Sequence, residues 1–268
     1  MQSTDVTAGP GNEWWKSFHL PEMADLFLDA RLPEVLRDTT GFLMRELRLP
    51  PAAHVYDQCC GSGSLSIALT KQGLKLTGAD LCKEYVDRAN AATVVEGDEF
   101  TDGSKPEFFC ADAFEFVPSM PCDGVFNWYS SFGYSSDDQR NQSMLMRAFE
   151  SLKPGGWLAL DIPNLPFLLR SFQTEMKHEG VSQGRNVSVV RQSRIDIDEG
   201  LLRQTWTWQI ENEAPIIRYS ALRLYLPHQI KRMLEGCGFQ AITMFGDLAS
   251  TAIELDSPRL IITAQRPE

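Results

Sequence analysis

The residues best suited to chemistry stand together in one stretch, Val55-Tyr56-Asp57-Gln58-Cys59-Cys60-Gly61-Ser62-Gly63, where a strand-like run gives way to a helical one. Glycine at such a turn lets backbone approach a ligand closely, and the helix that follows offers N–H groups without intrahelical partners. Many strand-to-helix turns are glycine-rich for steric reasons alone, so the turn by itself is weak evidence. The next strand-like run, Leu74–Ala79, ends at Asp80, 17 positions after Gly63. An acidic side chain there is placed to accept hydrogen bonds from a ribose diol. Two further runs end at Asp112 and Asn127, where a ligand at the carboxyl edge of a sheet would meet them.

The elements that must hold these residues follow from apolar spacing. His54–Asp57, Leu74–Ala79, Phe108–Ala111, Gly124–Asn127 and Trp157–Ile162 read as strands; Ser64–Gln72, Glu84–Ala92 and Asp138–Leu152 read as the helices between them. That alternation predicts an α/β fold with a doubly wound, mostly parallel, Rossmann-like sheet. Before it, Trp14, Trp15, Phe18, Leu20, Met23, Leu26 and Phe27 recur at helical spacing around Pro21, and a second helical pattern covers Leu32 to Leu47. After Pro163 the period changes to two. Asn186–Ile197, Leu201–Ile210 and Ile216–Tyr225 alternate, predicting a three-stranded antiparallel insertion with turns at Asp198-Glu199-Gly200 and Glu211–Pro215. A helix opened by Pro227 and stopped by Gly236, then strands at Phe239–Phe245 and Arg259–Ala264, complete a seven-stranded sheet. The expected organisation is a helical lid over residues 1–50, whose first twelve are polar, a core over 51–165, the insertion over 166–226, and the rest of the core over 227–268.

Composition narrows the partners. With 25 Lys and Arg against 36 Asp and Glu the chain carries a net charge of −11, and no basic run exceeds Lys231-Arg232. A phosphate track needs clustered cations, so a nucleic-acid partner is not expected. No apolar stretch reaches the length of a membrane helix and the first residues do not read as a signal peptide, which predicts a cytoplasmic protein with no membrane partner. The six cysteines form no C-x-x-C pair and have no nearby histidine to complete a zinc set, so they read as reduced, buried thiols and no metal is expected.

Taken together, these motifs resemble the class I S-adenosylmethionine-dependent methyltransferases. Asp57 through Gly63 is similar to that family's first motif, Gly78-Ala79-Asp80-Leu81 to its second, and Cys110-Ala111-Asp112-Ala113 to its third. Asp123-Gly124-Val125-Phe126-Asn127 resembles the fourth, and Leu152-Lys153-Pro154-Gly155-Gly156-Trp157 the turn before the fifth strand. The resemblance implies S-adenosylmethionine as cofactor, held by Asp57, Cys59, Gly61, Gly63, Asp80, Leu81, Asp112, Ala113 and Asn127. One residue departs from the pattern: Cys59 stands where the family usually has glycine, and its side chain would crowd the methionine moiety if the backbone there took a positive φ. Two other readings of the fold remain. A nicotinamide-dependent oxidoreductase would want a third glycine where Ser66 stands and a Tyr-x-x-x-Lys pair that is lacking, and a protein that binds the cofactor without transferring anything shares every motif.

The acceptor is expected to be a small molecule. Asn127-Trp128-Tyr129-Ser130-Ser131-Phe132-Gly133-Tyr134 lacks the D/N-P-P-Y/F sequence of enzymes acting on nucleobase or glutamine amino groups, and resembles the loops of small-molecule methyltransferases. Its hydroxyl-bearing aromatics, Tyr129 as a catalytic candidate and Tyr134 as an acceptor contact, suit a planar or cationic ligand. Of four histidines, His54 precedes the first strand, His178 lies in a charged stretch and His228 in a helix's first turn, which leaves His19 as the candidate base. Trp15 in the lid, Asn164 after the fifth strand, and Arg223 and Tyr225 where the insertion returns to the core are further acceptor candidates. With His19 the single histidine candidate for a base, the sequence favours nitrogen over oxygen or carbon as the methylated atom. The face shared by Trp206 and Trp208 reads as packing, with a homodimer patch as the alternative.

Overall fold

The computed structural model describes residues 13–29, 32–96, 100 and 105–268, so the polar first twelve residues lie outside it. In chain order its helices are α1 (Pro21–Met23), α2 (Pro33–Glu46), α3 (Ser64–Thr70), α4 (Lys83–Val95), α5 (Asp138–Ser151), α6 (Leu165–Arg170) and α7 (Pro227–Gly236). Prolines open α1, α2 and α7, where the first helical N–H needs no acceptor. The Asp137 side chain caps α5 by accepting from the Gln139 N–H.

Strands β1 (His54–Gln58), β2 (Lys75–Asp80), β3 (Glu107–Cys110), β4 (Cys122–Asn127) and β5 (Leu152–Pro163) are joined by β10 (Gln240–Phe245) and β11 (Arg259–Gln265). They form one sheet in the order β3-β2-β1-β4-β5-β11-β10. β1 to β5 run parallel, and β11 is antiparallel to both of its neighbours. This is the expected doubly wound α/β architecture. Strand order reverses between β1 and β4, so a crevice opens beyond their carboxyl ends, and that is where the motif residues stand.

The insertion differs from expectation: it has four strands, β6 (Glu175–Ser182), β7 (Arg185–Asp196), β8 (Leu201–Ile210) and β9 (Ile216–Arg223), paired antiparallel in that order. The additional strand, β6, is an edge strand whose outward residues include Glu175, Lys177 and Glu179. Its inward ones, Met176, His178, Gly180 and Ser182, give almost no apolar alternation to read.

The N-terminal segment is less regular than its spacing predicted. A 3₁₀ turn at Trp14–Lys16, the short α1 and a π-widened turn at Ala24–Leu28 replace a single helix. Phe18, Leu20 and Met23 are buried against Val187, Val189, Trp208 and Ile210 of the second sheet. The Trp206/Trp208 face is thereby covered from within the chain, which removes it as a homodimer patch. Trp15 turns the other way, into the main core beside Phe114. The segment thus bridges the two sheets.

Candidate active site

A cavity of about 710 Å³ lies between the β1–β4 crevice, the N-terminal segment and the inward face of the second sheet. Its volume is in the range of sites for small molecules, about 300–1,000 Å³.

The crevice end is built by backbone in unusual conformations. Cys59, Gly61 and Gly63 have φ of 68°, 55° and 79°, and across the crevice Tyr129, Ser130 and Gly133 have 61°, 66° and 95°. Left-handed backbone costs a residue with a β-carbon about 1–2 kcal/mol, so three such residues facing one cleft mark strain held in place by the surrounding fold. On the first side Asp80 holds the turn: its Oδ2 accepts from the Gly61 N–H at 2.9 Å and its Oδ1 from the Cys82 N–H at 2.9 Å. Asp57, buried in β1, accepts from the Ser66 hydroxyl at 2.8 Å. On the other side Asp161, wholly buried in β5, accepts the Tyr129 N–H at 2.9 Å and is paired with Arg259, whose Nε lies 2.7 Å away. The sequence reading singled out neither Asp161 nor Arg259.

Of the expected cofactor residues, Asp57, Cys59, Gly61 and Asp80 line the cavity, together with Cys60, Ser62 and Ser64. Gly63 caps α3 behind that wall, where a β-carbon would come within 2.6 Å of the Phe108 ring. Leu81, Asp112 and Ala113 follow the ends of β2 and β3 and do not reach the cavity wall. One Asp112 carboxylate oxygen is engaged by the Phe114 N–H at 2.9 Å. Asn127 is buried at the end of β4, with its amide nitrogen 3.3 Å from Gln58 Oε1 and its own Oδ1 without a hydrogen-bond partner. Burial pushes the thiols of Cys59 and Cys60 well above the ordinary range, with nearby aspartates adding to it, so both are protonated and unreactive at neutral pH.

The acceptor candidates divide. His19, Tyr129 and Tyr134 line the cavity. The His19 ring stands edge-on to Tyr85 at 5.5 Å and tilted to Tyr134 at 6.4 Å. Burial lowers its pKa, against the pull of the Asp80 carboxylate, so the imidazole is neutral at pH 7. Burial likewise raises the Tyr134 phenol, which keeps its proton. The structure does not bring Trp15, Asn164, Arg223 or Tyr225 to the cavity wall. Trp15 is core, and the Asn164 amide donates to the carbonyls of Glu254 and Ser257 at 2.9 and 2.8 Å. Arg223 and Tyr225 both close onto Asp138, at 2.9 Å from Arg223 Nε and 2.8 Å from the phenol, and so tie the second sheet to α5. Trp14 takes the place expected of Trp15, its indole N–H donating to the Tyr134 carbonyl at 3.0 Å. Also at the wall, from the second sheet, are Met176, Arg191, Ser193, Gln204, Trp206 and Ser220, none of them among the sequence candidates.

Residues 55–156 match the family model of the methyltransferase domain. This stretch is a class I S-adenosylmethionine-dependent methyltransferase domain, and its cofactor is S-adenosylmethionine. The residues present fit that cofactor: a carboxylate presented at the tip of β2, a turn of three left-handed residues and an orphaned amide oxygen at the end of β4. Over 245 residues the chain is 25% identical to the S-adenosyl-L-methionine-dependent Diels-Alderase iccD of Talaromyces variabilis, covering 87% of this chain and 81% of that one. Its fold is shared by the sugar N-methyltransferase KedS8 of Streptoalloteichus sp ATCC 53650, at TM-score 0.71 and 19% identity, with 93% of this chain and 95% of that one covered. The CcbJ methyltransferase of Streptomyces caelestis shares it too, at TM-score 0.75 and 14% identity over 94% and 98% of the two chains. Among the described residues no helix is long and apolar enough to cross a membrane.

Proposed function

We propose that this protein transfers a methyl group from S-adenosylmethionine to a small-molecule acceptor, with nitrogen favoured over oxygen or carbon. The observation that carries this reading is one continuous cavity running from Asp80 to the second sheet beneath the N-terminal segment, with room for a cofactor and an acceptor side by side. When bound, the cofactor supplies a methyl group on a sulfonium, which a nucleophile takes by in-line displacement.

The chain's own residues have three tasks. Asp80, Gly61 and the Asn127 amide oxygen hold the nucleoside part and its amino acid tail in register with the crevice. Trp14, Phe18, Phe27 and Trp206 exclude water and fix the acceptor's approach, and alignment of this kind is where most of the rate of a displacement is gained. Neutral His19 accepts a proton from an acceptor that must lose one. The likeness to a structure named as a sugar N-methyltransferase supports an amine that reacts in its neutral form.

Incubation with S-adenosylmethionine and a panel of amines, phenols and carbon acids, followed by mass spectrometry of both cofactor and acceptor, tests the reading. Methylated amine with an equal amount of S-adenosylhomocysteine is expected. The Talaromyces relative favours a second reading, in which the cofactor is held but not consumed and the aromatic chamber folds an apolar reactant for ring closure. Acceptor isomerised without any S-adenosylhomocysteine would select that reading.

A further inference from the structure

The acceptor end of the cavity is a cross-strand patch on the second sheet. Register places Met176 of β6, Arg191 of β7 and Trp206 of β8 side by side on one face, with Ser193, Gln204 and Ser220 in the adjoining row. The second row is a finished hydrogen-bond chain. The Trp206 indole N–H donates to the Ser220 hydroxyl at 3.1 Å, that hydroxyl donates to Gln204 Oε1 at 3.4 Å, and Gln204 Nε2 donates to the Ser193 hydroxyl at 3.1 Å. It leaves Trp206 flat beneath Arg191, whose guanidinium carbon lies 5.1 Å from the ring centre.

Arg191 itself is unfinished. Among the described residues no carboxylate pairs with it; its Nε is buried without a partner, and its Nη2 meets only the Met176 thioether. Those two nitrogens form the edge with which arginine binds a carboxylate in a bidentate pair. Burial depresses its basicity with no opposing charge to offset it, so the position costs stability as it stands. The thioether covering the edge is unbranched and turns aside easily. Among the described residues lining the cavity Arg191 is the only arginine or lysine, and it lies on the opposite sheet from Asp57 and Asp80.

We propose that Arg191 anchors the acceptor through a carboxylate or an equally planar oxyanion, with the adjoining apolar body of the acceptor lying against Trp206. This rests on the assignment of the cavity as an acceptor site. It narrows the substrate to small acids whose nucleophilic atom points back toward the crevice.

Calorimetric titration with 4-aminobenzoate and with methyl 4-aminobenzoate, each with and without S-adenosylhomocysteine, tests it. The expected result is at least tenfold tighter binding of the acid than of its ester, a preference abolished in Arg191→Gln and Arg191→Met and partly kept in Arg191→Lys. S-adenosylhomocysteine should bind all four proteins alike. Equal affinity for acid and ester, a preference that survives Arg191→Met, or no binding of either probe at millimolar concentration would overturn the proposal. Failure of the wild type to bind S-adenosylhomocysteine would break the cofactor assignment instead, and the titrations without it would still report on Arg191.

Discussion

Asp80 Oδ2 accepts the Gly61 N–H at 2.9 Å, so the carboxylate offered at the tip of β2 is also the group that holds the glycine turn at the end of β1. Ligand contact and loop geometry therefore depend on one side chain. With Oδ1 engaged by the Cys82 N–H, the carboxylate is fixed before any ligand arrives and still has lone pairs to offer.

Asp80→Ala should weaken S-adenosylhomocysteine binding by about 1–3 kcal/mol, through the lost contact and the loosened turn. Calorimetry measures it, and unchanged affinity would remove Asp80 from the site.

Tyr129→Phe should lower turnover more than it lowers cofactor affinity, as expected of a cavity-lining tyrosine whose hydroxyl orients the acceptor. Equal losses in kcat and in S-adenosylhomocysteine affinity would place the ring against the cofactor.

Removing Arg259 should disturb the same loop from behind. Arg259→Leu leaves the buried Asp161 carboxylate with the Tyr129 N–H at 2.9 Å and without its cation. We expect a loss of about 3 kcal/mol, the low end for a broken buried pair because the guanidinium is partly exposed. Turnover should fall at temperatures where the variant is still folded. Chemical denaturation beside single-turnover rates checks both, and a stable variant with normal rates would show that the pair does not hold the loop.

Cys59 allows a sharper test of backbone strain. At φ 68° glycine relieves the strain but gives up the packing of the thiol, so Cys59→Gly should be neutral to within about 1 kcal/mol. Cys59→Val adds a branched β-carbon to a left-handed residue and should cost more than about 2 kcal/mol. Equal melting temperatures for the two variants would contradict this account.

Acid should destabilise the fold through its histidines before its carboxylates. Burial lowers the folded-state pKa of His19, and it lowers those of His54 and His178 as well. Below the unfolded value of about 6.5 the unfolded chain takes up protons that the folded one declines, so stability falls as the pH drops toward the lowered values. The carboxylates of Asp123 and Asp138, held below their usual range, add their loss at lower pH still. His19→Gln should flatten the difference between urea melts at about pH 7.5 and pH 5.5, and an unchanged difference would show that His19 titrates as it does in the unfolded chain.

The cofactor half of this picture was legible from sequence because its determinants are local. Asp57, Gly61 and Asp80 reach one place through a single β-turn-α-β unit, and spacing alone carries that information. The acceptor half was not legible, since it is set by register between strands distant in sequence. Arg191 meets Trp206 and Met176 only once β6, β7 and β8 are paired, and β6 has inward residues too polar to announce a strand. Arg223 and Tyr225 misled for the same reason: their partner Asp138 lies more than 80 positions away. At the lid, a 3₁₀ turn advances 120° per residue where a helix advances 100°, and this places Trp14 at the cavity and its neighbour Trp15 in the core.

The bridging N-terminal segment has a thermodynamic consequence. It contributes His19 beside Asp80 at one end of the chamber and Phe18 against Trp206 at the other. A molecule that stiffens this segment from either end spares the next arrival the entropy of ordering it. By reciprocity, any gain in affinity that one occupant gives the other in this way is returned in the same factor, and the departure of either one then weakens the hold on the other.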